Sequence, residues 1–345
     1  MAYTTINKHT DHFNSKLYTG NGTTDHAITG VGFQPDLNWI KKRSTADNHI
    51  IHHVGMNAGD YLRSNSDDAL SNSGEMTKSL DSDGFTVGTR GEVNTNNSTF
   101  ASWNWKANGS GSANSDGTIT TTYTSANTTS GFSIIKYSGN ATAGATVGHG
   151  LNSAPEFVFT KKLSASANWQ CWGSVIGNVY TINLNHGTAK TNPNGNYNND
   201  TNPNSTVVTL GNDNDINQNG EPYIMYCFHS VKGYSKIGTY TGTGSAEGAF
   251  VYTGFKPAWV MVKRTSDSQG WVIWDNKRPG YNLTNQSLTA NESGAEETGR
   301  TFDVMSNGFK IRDTNTATNA NGSTYMYLAF GQSLVGTNNV PCTAR

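Results

Sequence analysis

The segment 254–264 reads GFKPAWVMVKR, and the pattern around its proline decides the fold. The same pattern surrounds Pro35 and Pro155: a Gly-apolar pair shortly before the proline, a large apolar residue two positions after it, cations at positions six and seven, and rings at positions 14 and 17. Three matches without a gap indicate an internal repeat. The matching residues are Leu37, Phe157 and Trp259 at the apolar position; Lys41 and Lys42, Lys161 and Lys162, and Lys263 and Arg264 at the cations; and His49 and His52, Trp169 and Trp172, and Trp271 and Trp274 at the rings.

Each repeat also opens and closes in the same way. A triplet of Tyr, a hydroxyl residue and Gly opens it, and a strand rich in aromatic residues closes it. Because alternate residues of a strand share one face, the closing strand carries an apolar face that predicts contact with a core. The triplets begin at Tyr18, Tyr137 and Tyr240, and the apolar faces are Ala101/Trp103/Trp105, Ile224/Tyr226/Phe228 and Met326/Leu328/Phe330. A further shared strand is predicted at 84–87 and 308–311, with 206–210 as its candidate counterpart in the middle repeat.

The repeat length of about 100 residues is the usual size of a small β-sandwich. The composition agrees, since abundant Asn, Thr and Ser together with 38 Gly favour strands and turns over long helices. We therefore predict an all-β protein with three tandem antiparallel β-sandwich domains. The predicted divisions are an N-terminal arm at 1–11, repeat 1 at 12–107, a linker with one short strand at 108–130, repeat 2 at 131–233, repeat 3 at 234–335 and a C-terminal arm at 336–345.

The balance of charge argues against one class of function. The chain has 24 Lys+Arg against 25 Asp+Glu, so it lacks the basic excess of a nucleic-acid-binding protein, and we predict no nucleic-acid partner. No apolar run approaches the roughly 18–20 residues that span a bilayer, so no membrane insertion is predicted. The N-terminus lacks the apolar core of a signal peptide, and we expect synthesis in a cytoplasm. Cys171 and Cys227 are predicted to be buried small apolar residues rather than part of a disulfide framework.

The paired tryptophans are the first candidate site. Trp169, Trp172, Trp271 and Trp274 could stack on sugar rings, because aromatic faces suit pyranoses. The alternative is that these rings belong to the core. Positions three apart in a strand point to opposite faces, which favours the core for one member of each pair.

The paired cations after each proline have two interpretations. They could contact an anionic polysaccharide of a host cell, or they could form a solvated strand edge that discourages unwanted pairing. In either case their aliphatic stems could pack on the tryptophan rings. The solvated edge is the interpretation we favour.

The segment 211–220 is the candidate metal loop. It places Asp213, Asp215, Asn217 and Asn219 at alternating positions, and Ca²⁺ prefers several such oxygen ligands. The glycine and the bidentate glutamate of an EF-hand are missing at the required spacing. The favoured interpretation is a polar hairpin loop, with Ca²⁺ as the alternative and no other cofactor predicted.

Signs of catalysis are lacking in the sequence. Glycoside hydrolysis needs two carboxyl groups about 5–10 Å apart, and the clustered glutamates, Glu292, Glu296 and Glu297, fall in a predicted loop. No nucleophile elbow, phosphate-binding loop or zinc-protease motif is present. We predict that the protein is not an enzyme.

Specific motifs resemble a family common in marine bacteriophages, including those that infect cyanobacteria. The motifs are the opening MAYTTI, the block GFQPDL at 32–37, the segment 254–264 and the ending TAR at 343–345. The resemblance covers nearly the whole chain. It implies concanavalin-like, or jelly-roll, sandwiches in tandem, in proteins described as virion structural, tail-fibre-like or lectin-like, and it carries no catalytic residues. Repeat 1 departs from the pattern, because His49 and His52 replace the tryptophans, which puts any binding role of these rings in that repeat in doubt.

These observations together predict a non-enzymatic structural protein on the surface of a phage particle, as a tail fibre, an appendage or a head decoration, assembled in the host cytoplasm. The expected partners are other virion proteins, reached through the two terminal arms, and further copies of the chain, for which a trimer suits a fibre. A carbohydrate-binding adhesin that recognises a host surface glycan is the first alternative. A polysaccharide depolymerase is the second.

Overall fold

A computed structural model describes residues 4–279, 281–335 and 342. Within these residues the chain is built from antiparallel strands, with one 3₁₀ turn at His9–Asp11 and three helices of four residues each. The predicted all-β fold is confirmed. The predicted C-terminal arm lies outside the described residues, apart from Cys342.

The first unit has a main sheet in the order β1-β9-β3-β4 and a small sheet in the order β2-β8-β7. Its elements are β1 Phe13–Thr19, β2 His26–Thr29, β3 Leu37–Lys42, β4 His49–His53, β5 Asp60–Tyr61, β6 Ser71–Asn72, β7 Thr77–Asp81, β8 Gly84–Val87, α1 Gly91–Asn94 and β9 Thr99–Trp105.

The second unit has a main sheet in the order β10-β11-β17-β13-β14-β15 and a small sheet of β12 and β16. Its first strand, β10, comes from the predicted linker and pairs with β11, so this part of the linker belongs to a sheet. The elements are β10 Tyr123–Asn127, β11 Phe132–Ser138, β12 Thr146–Gly148, β13 Phe157–Lys162, β14 Gln170–Trp172, β15 Ile182–Asn183, β16 Val207–Thr209, α2 Asn214–Asn217 and β17 Pro222–Phe228.

The third unit forms one sheet of eight strands in the order β18-β25-β20-β21-β22-β23-β24-β19. Its first four strands occupy the places of β1-β9-β3-β4 in the first unit, and its last strands those of the small sheet. The elements are β18 Ser235–Thr241, β19 Phe250–Tyr252, β20 Phe255–Arg264, β21 Val272–Asp275, β22 Thr284–Thr289, β23 Glu297–Met305, β24 Gly308–Ile311, α3 Thr316–Asn319 and β25 Thr324–Ser333.

Each main sheet is buried on both faces. In the first two units one face packs on the small sheet, and in the third unit one face of β18-β25-β20-β21 packs on β23-β24-β19 of the same sheet; each interface encloses a separate apolar cluster. The other face joins a single central cluster to which all three units contribute, and this is the face that the sequence predicts for the closing strands. The three units therefore share part of their core, because the central cluster contains buried residues of all three. Central members from the closing strands are Trp103, Trp105, Tyr226, Phe228, Leu328 and Phe330.

An apolar cavity of about 20 Å³ lies inside the central cluster, and residues of all three units line it, including Trp39, Tyr226 and Trp259. The predicted N-terminal arm also contributes to this cluster. Ile6 is buried there, and the Gln332 side chain donates to the Asn7 carbonyl and contacts the His9 ring nitrogen. Residues 4–11 thus pack against the body instead of extending from it.

The opening triplet contacts the short helix in the same way in each unit. The hydroxyl of Tyr18, Tyr137 or Tyr240 donates to a carbonyl in the third position of α1, α2 or α3. The glycine of the triplet passes so close to the residue after the helix that no side chain fits. A Cβ at Gly139 would lie 2.4 Å from the Gln218 carbonyl oxygen. This contact explains why the triplet ends in glycine in all three units.

Candidate functional site

The four candidate sugar-stacking tryptophans are not at the surface. Trp169, Trp172, Trp271 and Trp274 each have a relative exposure of 0%. Trp169 and Trp271 point into the central cluster, and Trp172 and Trp274 into the clusters of their own units. The prediction of opposite faces is confirmed, but sugar stacking on these rings is wrong, because the second face of the sheet meets another unit instead of solvent.

The centrally directed ring of each pair joins two units. The indole Nε1 of Trp169 donates to the Arg63 carbonyl oxygen at 2.8 Å, and that of Trp271 donates to the Asn183 carbonyl oxygen at 2.9 Å. Each acceptor begins a stretch of the preceding unit that we call a junction segment. The junction segments are 63–70, 183–190 and 289–296.

His49 makes the equivalent contact in the first unit. Its Nε2 lies 3.1 Å from the Thr289 carbonyl oxygen of the third unit, and its Nδ1 accepts from the Trp39 indole N–H at 2.9 Å. These partners assign the ring proton to Nε2. Burial lowers the pKa of His49 well below its ordinary value, so the ring is neutral. An imidazole N–H therefore replaces the indole N–H of the other two units, and the three contacts close the units into a ring.

The first cation of each pair repeats this cyclic arrangement. The Nζ atoms of Lys41, Lys161 and Lys263 are buried and donate to carbonyl oxygens of a neighbouring unit's junction segment. Burial lowers the pKa of Lys41 and of Lys161 to about 8 and the pKa of Lys263 to about 7. The predicted solvated strand edge is wrong for these three lysines, as is contact with a polysaccharide. The accepting residues are Ser293, Asp67 and Gly187 respectively.

The junction between the third and first units also contains a buried charge network. Asp275 Oδ2 accepts from the Trp103 indole at 3.0 Å and from Arg278 Nε at 2.7 Å. Burial would raise the pKa of Asp275, but the adjacent Arg278 guanidinium holds it below its ordinary value. Glu296 bridges Arg278 to Arg43 of the first unit, so this glutamate of the predicted loop has a structural contact. The network lies where no direct chain connection joins the two units.

The candidate calcium loop is a helix cap. Asp213 accepts from the backbone N–H of Asp215 at the start of α2, and Asp215 accepts from the Gln170 side chain. Asn217 is buried, and its amide binds backbone groups of Thr142 and Gly211, while Asn219 is exposed. Three of the four side chains thus have separate partners. No group of three or more His, Cys, Asp or Glu suited to a metal occurs within the described residues. The predicted polar hairpin is wrong in form, because the segment contains α2 and joins β16 and β17 of two different sheets. The Ca²⁺ alternative stays a prediction.

An exposed aromatic pair lies on the third unit, where the sequence reasoning did not place a site. Phe250 and Tyr252 are 50% and 52% exposed and share the outer face of the edge strand β19. Tyr252 borders an open groove of about 400 Å³ that Lys236 and Glu156 also line. Glu156 belongs to the second unit, so the groove lies where two units meet.

The model of the family described as Domain of unknown function (DUF7483) matches residues 8–333. The chain belongs to the DUF7483 family. Neither the curated proteins nor the solved structures give a match. The DUF7483 match begins just before β1 and ends with β25, so it takes in all three units as one body. This extent agrees with the shared central cluster.

The aromatic pair of this DUF7483 chain departs from its own repeat. In β2 the positions of Phe250 and Tyr252 hold Ala27 and Thr29, and in β12 they hold Thr146 and Gly148. The equivalence follows from strand pairing, since Ile28, Val147 and Val251 oppose Phe85, Val208 and Phe309. A comparison of the three units at these positions would have revealed the pair from the sequence.

The described residues of the DUF7483 chain contain no helix that is long and apolar enough to cross a membrane. Cys171 and Cys227 are buried and unpaired, as predicted. Burial raises the pKa of both thiols, which makes them poor nucleophiles.

Proposed function

We propose that the protein is a non-enzymatic structural protein exposed on the surface of a bacteriophage particle. The observation that carries the proposal is the closed ring of three units, joined by a common core and by matching buried contacts such as Trp169 to Arg63 and Trp271 to Asn183. Such a body presents a fixed shape, and surface modules of particles work through shape and many weak contacts. The resemblance of the sequence to virion proteins of marine phages supports the same function.

The partners are other virion proteins. Because residues 4–11 pack on the body, we propose that attachment uses the outer surface or the C-terminal segment 336–345. A trimer of whole chains is a separate level of assembly, because each chain already contains three equivalent units. A tail fibre, a tail appendage or a head decoration would each present such a body on the particle surface.

Immunogold electron microscopy of the phage that encodes the protein tests the proposal. Label on the head supports a decoration protein, and label on the tail supports a fibre or an appendage. Purified particles that carry no label and yield no peptide of this chain in mass spectrometry would contradict the proposal.

A carbohydrate-binding adhesin is the second candidate function. The exposure of Phe250 and Tyr252 beside a groove favours it, whereas the buried tryptophans give it no support. The two functions are compatible, since a surface protein of a particle can also bind the host.

A further inference from the structure

The groove beside Tyr252 has the size and composition of a ligand site. Its volume of about 400 Å³ lies within the range of about 300–1,000 Å³ of small-molecule sites. A second groove of about 240 Å³ shares Glu156 and Ile237 with it. The two grooves therefore adjoin each other along the seam between the second and third units, and we call them together the trough.

The exposed aromatic residues of β19, of which Tyr252 lines the trough, are not needed by the fold. Val251, between Phe250 and Tyr252, is the residue of β19 that enters the core. The first and second units build the same strand with small residues at the flanking positions, and their sandwiches close in the same way. Large exposed rings that the local packing does not use are a mark of binding surfaces.

Charged groups line the groove together with Tyr252. Lys236 Nζ donates to the Tyr252 carbonyl oxygen at 2.7 Å and lies over one face of the Tyr252 ring, 5.4 Å from its centre. The Glu156 side chain is 32% exposed, and its Oε2 accepts from the Ser230 backbone N–H at 2.6 Å. The site thus combines an aromatic face, a positioned carboxylate and an ammonium.

This combination fits a pyranose. The ring C–H groups of a sugar pack on an aromatic face, while its hydroxyls donate to a carboxylate and accept from an ammonium. An extended peptide that added a strand at β19 would need the Tyr252 carbonyl oxygen, which Lys236 already occupies. The occupied acceptor favours a ligand that uses the exposed part of the ring, on the face opposite Lys236, instead of the strand backbone.

We infer that this trough binds a pyranose unit of a polysaccharide, with Tyr252 as the stacking surface and Glu156 and Lys236 as hydrogen-bonding partners. The inference deepens the proposed function, because it gives a particle-surface protein a saccharide ligand. It assigns the site to the third unit alone, although the fold is repeated three times.

The test uses the full chain on an array of neutral and acidic oligosaccharides, followed by calorimetric titration of the strongest binder. Wild-type protein is expected to bind at least one oligosaccharide, and Tyr252→Ala is expected to weaken that binding by about tenfold or more. Glu156→Gln is expected to weaken it while leaving the melting temperature unchanged. Thr29→Ala, at the matching position of the first unit, is the control and is expected to leave binding unchanged.

Two results would overturn the inference: no binding to any arrayed oligosaccharide, or binding that Tyr252→Ala leaves intact. Because Tyr252 is half exposed, its substitution is not expected to unfold the chain, and circular dichroism checks this directly. Failure of this test removes the saccharide site but says nothing about the particle. Absence of the protein from the particle would leave a measured saccharide affinity standing.

Discussion

The indole nitrogen of Trp103 lies 3.0 Å from a carboxylate oxygen of Asp275, although 172 residues separate them in the sequence. Trp103 belongs to the first unit and Asp275 to the third, so this bond helps to hold together two units that no direct chain connection joins. Asp275 also fixes Arg278, whose side chain has no exposure to solvent. Removing the carboxylate therefore leaves the buried Arg278 Nε and the buried Trp103 indole N–H without their acceptor, while Glu296 still pairs with Arg278 Nη1.

Asp275→Ala is expected to lower the free energy of unfolding by about 3–5 kcal/mol, the usual cost of breaking a buried ion pair on one side. Urea denaturation followed by tryptophan fluorescence measures the change. Glu247→Ala is the matched control, because Glu247 pairs with Lys310 and Arg312 at the surface with its side chain 70% exposed. We expect the control to cost less than about 1 kcal/mol. Equal losses for the two variants would contradict a stabilising role of the buried network.

Removal of the third unit should abolish the monomeric fold. A chain of residues 1–233 exposes the central faces of the first two units and leaves Lys41 and His49 without their acceptors on residues 289–296. We expect it to aggregate or associate, as measured by size-exclusion chromatography with light scattering beside the full chain. A monomer with a sharp, cooperative unfolding transition would show that the units fold independently.

The glycine of the opening triplet should tolerate no side chain. Gly139→Ala would place a Cβ 2.4 Å from the Gln218 carbonyl oxygen, and overpacking of this kind costs about 1–3 kcal/mol. Gly294→Ala is the control, since no atom lies within 4 Å of its added Cβ. We expect the control to change the free energy of unfolding by less than about 0.5 kcal/mol. Thermal and urea denaturation of both variants decide whether the close approach is real.

Lys263 should make stability depend on pH. Burial lowers its pKa to about 7 in the folded chain, whereas the unfolded lysine keeps its proton up to about pH 10. A lowered folded pKa means that the stabilising contribution is complete above the unfolded pKa and is lost as the pH falls toward 7. Between pH 7 and 8.5 the unfolded state therefore binds more protons than the folded state. The contribution of Lys263 to the free energy of unfolding becomes more favourable as the pH rises.

Lys263→Met removes this gain. The difference in unfolding free energy between wild type and variant is expected to shift by roughly 1.5 kcal/mol in favour of the wild type between pH 7 and 8.5. Lys8→Met serves as the control, because the Lys8 side chain is 67% exposed, and its difference should stay constant. A difference that is equally flat for Lys263→Met would show that this lysine keeps its proton in the folded chain.

The sequence predicted the architecture through its periodic features. The alternation in the closing strands gave the correct inner face for Trp103 and Trp105, Tyr226 and Phe228, and Leu328 and Phe330. The predicted strands at 84–87 and 308–311 match β8 and β24. These features depend on the alternation of side chains along a single strand, so local patterns are sufficient to predict them.

The contacts between units could not be predicted in the same way. A strand with rings on both faces, such as the one with Trp169 and Trp172, is compatible with an exposed second face or with a second core, and periodicity does not distinguish them. The lysines looked like surface residues because their acceptors are backbone carbonyls such as that of Gly187. Every residue has a backbone carbonyl, so the sequence does not show which one accepts. Phe250 and Tyr252 were missed because aromatic residues on a strand are usually evidence of a core.

The equivalence of the three junctions has a consequence for how such a chain can change over time. Each unit carries the donor side chain for one junction and the accepting junction segment for the next. Three identical copies of one unit could therefore make the same contacts as a closed trimer. In such a trimer of identical copies, every substitution appears three times. Once the copies are fused in one gene, each can diverge alone while the other two keep the ring intact. In this chain the aromatic pair is found in the third unit alone, while the ring-to-carbonyl contact is kept at all three junctions.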